Sequence, residues 1–185
     1  MNKVLIIHPE DRSTDFLKPI YQHVENPTLI TGGVTKNEIR ELIKSHDQVM
    51  MMGHGSPGGL FSMGQFDDDT FGRGYIIDYS MVPALQAKSN NIFIWCNADM
   101  FVFYNQLKGF YSGMFISEVG EAIYCGLPGT TQDVVDESNE VFARIVGEVI
   151  NEPVNIIHNH VKMHYGVLTE NNPVAVYNHK RLYLD

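Results

Sequence analysis

Short apolar runs alternate with amphipathic polar stretches along the first half of the chain, in the order strand, helix, strand, helix. Val4–Ile7 is a β-branched block ended by His8-Pro9, and Ser13, Thr14 and Asp15 offer N-caps for a helix over residues 16–23. Residues 28–31 predict a second short strand, closed by Gly32-Gly33. Thr35 and Glu38 then form a capping box for NEIRELIKSH, whose Ile39, Leu42 and Ile43 share one helical face.

The next run, DQVMMMGHGSPGG, is a buried-type strand that stops at a glycine-rich loop holding His54. Residues 60–63 and Tyr75–Ile77 pair as a hairpin across the acidic stretch QFDDDTFGRG, and Asp78 caps a helix over residues 79–88. NIFIWCNAD repeats the earlier arrangement: an apolar strand over residues 92–95 runs straight into a polar turn beginning at Cys96. Residues 114–117 read as a further strand, helices follow in EVGEAIYCG, DVVDESNEVFARIVGEVI and NIIHNHVKMHYG, and PVAVYNHKRLYL closes the chain as a strand or hairpin.

Strands separated by helical patterns imply βαβ units. The expected fold is therefore a three-layer α/β/α sandwich around a mostly parallel central sheet. No repeat, low-complexity tract or linker divides the chain, so residues 1–185 are expected to form one domain.

The composition, 44% apolar and 19% charged, is that of a chain that packs a core. A formal charge of -9 argues against nucleic acid and anionic lipid as partners. No run approaches a membrane span and MNKVLIIHPEDRS lacks a signal-peptide pattern, so a cytoplasmic location is expected. The two cysteines, Cys96 and Cys125, form no CxxC pair and are expected as reduced thiols. Cys125 lies in an apolar helical run and reads as a core residue.

Ligands of open α/β sheets bind outside the carboxyl ends of the strands, where His54 and Cys96 both fall. If their strands are neighbours, an imidazole and a thiol meet at one rim, as a Cys/His nucleophilic dyad requires. Cys96 then attacks a carbonyl and His54 moves the protons. The N–H groups of Gly55 and Cys96 are the expected oxyanion donors, glycine at 55 allowing close approach. No cofactor is needed for this chemistry. His8 also follows a strand, as a structural or substrate-pocket residue, while Ser56 and Asn97 are turn residues placed to touch substrate. Asp99 either orients His54 or caps the helix after Cys96. A different chemistry open to the same residues is a zinc hydrolase, with His8, His54 and Cys96 as ligands and Asp99 as a further candidate. Phe101, Phe103 and Tyr104 read as core or as the surface of a homodimer. His160 and His164, spaced i and i+4, read as a polar helix face beside His158.

An apolar strand ending in His-Gly, MMMGHGS, followed by one ending in Cys, IFIWCNA, resembles the caspase-like (clan CD) cysteine peptidases. The intervening hairpin and helix and the later MFISEVGEA are similar in order and spacing to the CHAT, gingipain and clostripain-like members, over roughly residues 1–150. The resemblance implies a caspase-hemoglobinase fold, a Cys/His dyad, a peptide or protein substrate, and cleavage after a chosen P1 side chain. Trp95 is a departure, because members more often carry a small or polar residue there, and NADMF matches no subfamily signature. A catalytically silent caspase-like binding module is the alternative of a different class. The acidic triplet Asp67-Asp68-Asp69 is either a preference for basic P1 residues or a solvated face.

Overall fold

The computed structural model describes residues 3–67 and 74–185. β1 (Val4–Ile7) is buried at every position, as a strand covered on both faces must be. A 3₁₀ turn over Arg12–Leu17 and a short helix, α1 (Lys18–Tyr21), follow. Their cap is Asp11, whose carboxylate accepts from the Ser13 N–H. Ser13, Thr14 and Asp15 lie inside the turn instead of capping it, so the helical stretch begins and ends before the span the sequence pattern predicts. β2 (Thr28–Ile30) precedes α2 (Lys36–Ser45), which starts on the expected Thr35/Glu38 capping box.

β3 (Gln48–Met52) is fully buried. After it, β4 (Gly55–Ser56), β5 (Gly59–Phe61) and β6 (Tyr75–Ile77) form a small antiparallel sheet, and β5 and β6 are the expected hairpin. Asp78 caps a 3₁₀ turn leading into α3 (Val82–Gln86). β7 (Asn91–Ile94), α4 (Ala98–Tyr104), β8 (Gly109–Ser112) and α5 (Val119–Tyr124) follow, then α6 (Gln132–Glu148), α7 (Val154–His164), α8 (Pro173–His179) and β9 (Leu182–Leu184).

The main sheet has six strands in the order β2-β1-β3-β7-β8-β9, parallel throughout except for the antiparallel edge strand β9. Alternate residues of the central strands point to opposite faces. Ile6, Met50, Ile92 and Phe110 join one core with Ile20, Phe142 and Ile157, while Leu5, Met51, Phe93 and Trp95 join another with Ile39, Leu85 and Phe101. Helices thus cover both faces of a mixed α/β fold. No helix among the described residues is long and apolar enough to cross a membrane.

Two expectations fail in the second half. The strand lies at Gly109–Ser112 and not at residues 114–117, whose backbone is held by a side chain: Ile116 N–H donates to Asn178 Oδ1 at 2.7 Å and Asn178 Nδ2 donates to the Ile116 carbonyl at 2.9 Å. The closing segment is a strand only in its last part, β9; its first part is helix α8, because Asn172 caps that helix through the Val174 and Ala175 amides and Pro173 occupies its first turn.

Candidate active site

β3 and β7 are parallel neighbours, with Met52 opposite Ile94, and the Gly53 N–H extends the ladder to the Ile94 carbonyl at 3.1 Å. Gly53 leaves the strand at φ 138, a conformation that glycine adopts without strain. His54 and Cys96 therefore follow the matched ends of adjacent strands, and together they line one small cavity of about 20 Å³ with Thr14, Phe16, Phe115 and Ser117. That volume holds about one water molecule. A groove of about 480 Å³ adjoins it, sharing Phe16 and Ser117 and edged by Arg12, Glu118, Asp136 and Glu140.

The sheet order reverses beside this junction, between β1 and β3. From β1 the chain proceeds to β2 on one side, and from β3 to β7 and β8 on the other. The crevice at such a reversal is where ligands of open α/β sheets bind, and the turn after β1 enters it. Ser13 Oγ lies 2.7 Å from His54 Nε2 and donates to Asp11 Oδ1 at 2.6 Å. With its proton given to Asp11, the Ser13 oxygen accepts from Nε2–H of His54, leaving Nδ1 as the basic nitrogen. Burial opposes the charged Asp11 carboxylate, but the two Ser13 hydrogen bonds and the nearby His54 and His8 hold its pKa below the ordinary value. Ser13 reads in the sequence only as a helix-start residue, and the sequence does not single out Asp11. Their signal as site residues is their position just beyond β1, beside the reversal.

Trp95 fixes the histidine loop. Its indole Nε1–H donates to the Ser56 carbonyl at 3.1 Å, and it is 1% exposed between Phe93 and Phe101. A Cβ on Gly55 would stand 2.3 Å from Trp95 Cδ1 and 2.6 Å from the Gly59 carbonyl oxygen. Glycine at 55 is required by this contact, a reason the sequence did not supply.

The single S–H of Cys96 is shared between two acceptors, the Phe115 carbonyl at 3.3 Å and Glu121 Oε1 at 3.6 Å. Burial, reinforced by the Glu121 carboxylate, pushes its pKa up to about 12. The resting side chain is thus a protonated thiol. Glu121 Oε2 accepts from the Ser117 and Glu118 amides, which anchors the carboxylate against the sulfur. We expect Glu121→Gln to speed alkylation of Cys96 by iodoacetamide at pH 8 on the order of tenfold, through a thiol pKa lower by about one unit. An unchanged rate would show that burial alone sets the thiol's state.

The remaining candidates separate from the pair. His8 is 2% exposed, with Nδ1 on the Tyr21 hydroxyl and Nε2 on Thr14 Oγ1, each at 3.0 Å. Both ring nitrogens are occupied, so it is a structural histidine one layer behind the cavity. Burial, then the Lys18 charge, lowers its pKa from 6.5 to about 4. Folding holds this ring neutral, so its contribution to stability is complete above pH 6.5 and is lost as pH falls toward 4. We expect wild type to lose roughly 3 kcal/mol more than His8→Gln between pH 7 and pH 4 in urea unfolding. Equal losses would contradict this.

Ser56 Oγ bonds the Tyr75 hydroxyl at 2.7 Å and lies outside the cavity wall. Asn97 turns the chain into α4 in the left-handed conformation, φ 63. Asp99 makes no side-chain cap and faces a separate aromatic pocket instead of His54. Among the described residues no three His, Cys, Asp or Glu side chains converge as a metal site would require. Asp68 and Asp69 lie outside the described residues. Cys125 packs beside a small cluster around Ile116, Ala122 and Val174. These geometries stand alone as the guide to function, because no protein-family model, curated protein or solved structure matches the chain.

Proposed function

We propose that the chain is a caspase-like, clan CD-type cysteine endopeptidase, a three-layer α/β/α sandwich of the caspase-hemoglobinase kind with Cys96 as nucleophile and His54 as general acid and base. The observation that carries this reading is the shared cavity of His54 and Cys96 at the matched ends of adjacent parallel strands.

In the proposed reaction the thiol leaves Glu121 and Phe115, and its proton passes to His54. The thiolate forms a C–S bond to the scissile carbonyl carbon, and the oxyanion is received by the N–H groups of Gly55 and Cys96. His54 then protonates the departing amine as the C–N bond breaks. Water, deprotonated by His54, attacks the thioester; the C–S bond breaks and the sulfur regains its proton. The groove beside the cavity gives an extended peptide room to lie, once Phe16 moves from its stack on Phe115 at 6.3 Å. Its edge carries Glu118, Asp136 and Glu140 against Arg12, which favours a basic side chain.

A second reading, the catalytically silent module, is favoured by one observation: the thiol is held protonated and hydrogen-bonded. A positional-scanning peptide library assayed on wild type, Cys96→Ala and His54→Ala separates the two. Cleavage that needs both side chains supports the peptidase; no cleavage of any member by wild type supports the module.

A further inference from the structure

At the C-terminal end of α4, Phe103 and Tyr104 are 75% and 68% exposed, an unusual cost for two large aromatic rings. They join Tyr111 of β8 and Tyr183 of β9 around a pocket of about 310 Å³ that also contains Asp99. Asp99 Oδ1 is buried without a hydrogen-bond partner, and among the described residues no cation pairs with it. Arg181, close by in sequence to Tyr183, instead lies over the Tyr177 ring at 3.5 Å. The Tyr111 hydroxyl is committed to Asp185 at 2.5 Å, which places a second carboxylate beside the pocket.

Aromatic walls around an unpaired carboxylate attract an organic cation through ring faces and charge together. The hydrogen-bonding capacity narrows the class. Asp99 is the one charged residue in a lining of four aromatic rings, which suits a cation carrying methyl groups and one N–H over a primary ammonium with three donors or a guanidinium with five. Methyl groups on the remaining nitrogen positions match the aromatic lining. We infer that the Asp99–Phe103–Tyr104–Tyr111–Tyr183 pocket binds a tertiary alkylammonium ion, with its N–H on Asp99 and its methyls against the rings. This site is independent of the proposed hydrolysis.

An amide NMR titration of the full chain at pH 7 tests it with three probes: protonated dimethylaminoethanol, its uncharged isostere isoamyl alcohol, and ethanolammonium. We expect dimethylaminoethanol to shift amides of α4 and β9 and to bind about tenfold more tightly than either of the others. Asp99→Asn and Phe103→Ala are each expected to weaken it about five- to tenfold, the second at an exposed position whose loss leaves the fold intact. Should Asp99→Asn fail to fold, Phe103→Ala and the three-probe ranking on wild type decide. Equal response to isoamyl alcohol, binding of ethanolammonium as tight or tighter, or self-association through these residues with no response to the ammonium would overturn the inference.

Discussion

Cys96→Ala is expected to abolish peptide hydrolysis, lowering kcat/KM by at least about a thousandfold, while Cys125→Ala leaves it unchanged. The contrast follows from placement. Cys96 sits at the end of a central strand in the cavity shared with His54, and Cys125 ends α5 beside a satellite cluster. The alanine variant loses one sulfur and its weak hydrogen bonds to Phe115 and Glu121, so its unfolding midpoint is expected to stay close to that of wild type. Paired circular-dichroism melts and peptide turnover measure both effects. Turnover that survives Cys96→Ala would assign the hydrolysis elsewhere, and Ser13, 2.7 Å from His54 Nε2, is the first residue to replace.

The largest stability effect is expected at Trp95. Truncation to alanine opens a cavity between Phe93 and Phe101 and leaves the Ser56 carbonyl without its indole donor, at a cost of about 3–5 kcal/mol. It also releases the loop that holds His54, so turnover is expected to fall in the folded fraction. Gly55→Ala probes the same contact from the other side. In wild type the added methyl meets an indole held from both sides and costs about 1–3 kcal/mol. Without the indole much of that penalty should vanish, leaving the approach to Gly59. A double-mutant cycle in urea unfolding is therefore expected to give a coupling of at least about 1 kcal/mol. Additive losses would mean that the Trp95–Gly55 contact does not hold the loop.

These two sites also mark how far the sequence could be read. The strand-end placement of His54 and Cys96 was legible because apolar strands ending in such residues are a local pattern, and the parallel pairing of β3 with β7 supplies the neighbour relation that pattern needs. The capping box at Thr35 and the Asp78 cap were legible for the same reason, since both act within a few residues. What the sequence hid is what only tertiary structure joins. Asp11 and Ser13 have the form of ordinary cap residues, and their contact with His54 spans 41 positions. Glu121 resembles any first-turn acid until Phe115 and Ser117 fold beside it. Trp95 looked like a misfit at the strand end before Cys96, yet it fills the space that Gly55 leaves empty. The misplaced strand has a similar origin. Residues 114–117 carry a strand-like apolar run, but the Asn178 amide, 62 positions from Ile116, takes the place of a neighbouring strand. Gly109, at φ 148 and close against Asn91, opens the true one despite its low strand propensity.

Whether the imidazole and the sulfur work as one unit is tested most directly by covalent capture. A peptidyl acyloxymethyl ketone should add once to the wild-type chain, and mass spectrometry should map the adduct to Cys96, with labelling at least about a hundredfold slower in His54→Ala. Modification confined to Cys125, or of Cys96 at the same rate without His54, would contradict a catalytic pair at the ends of β3 and β7.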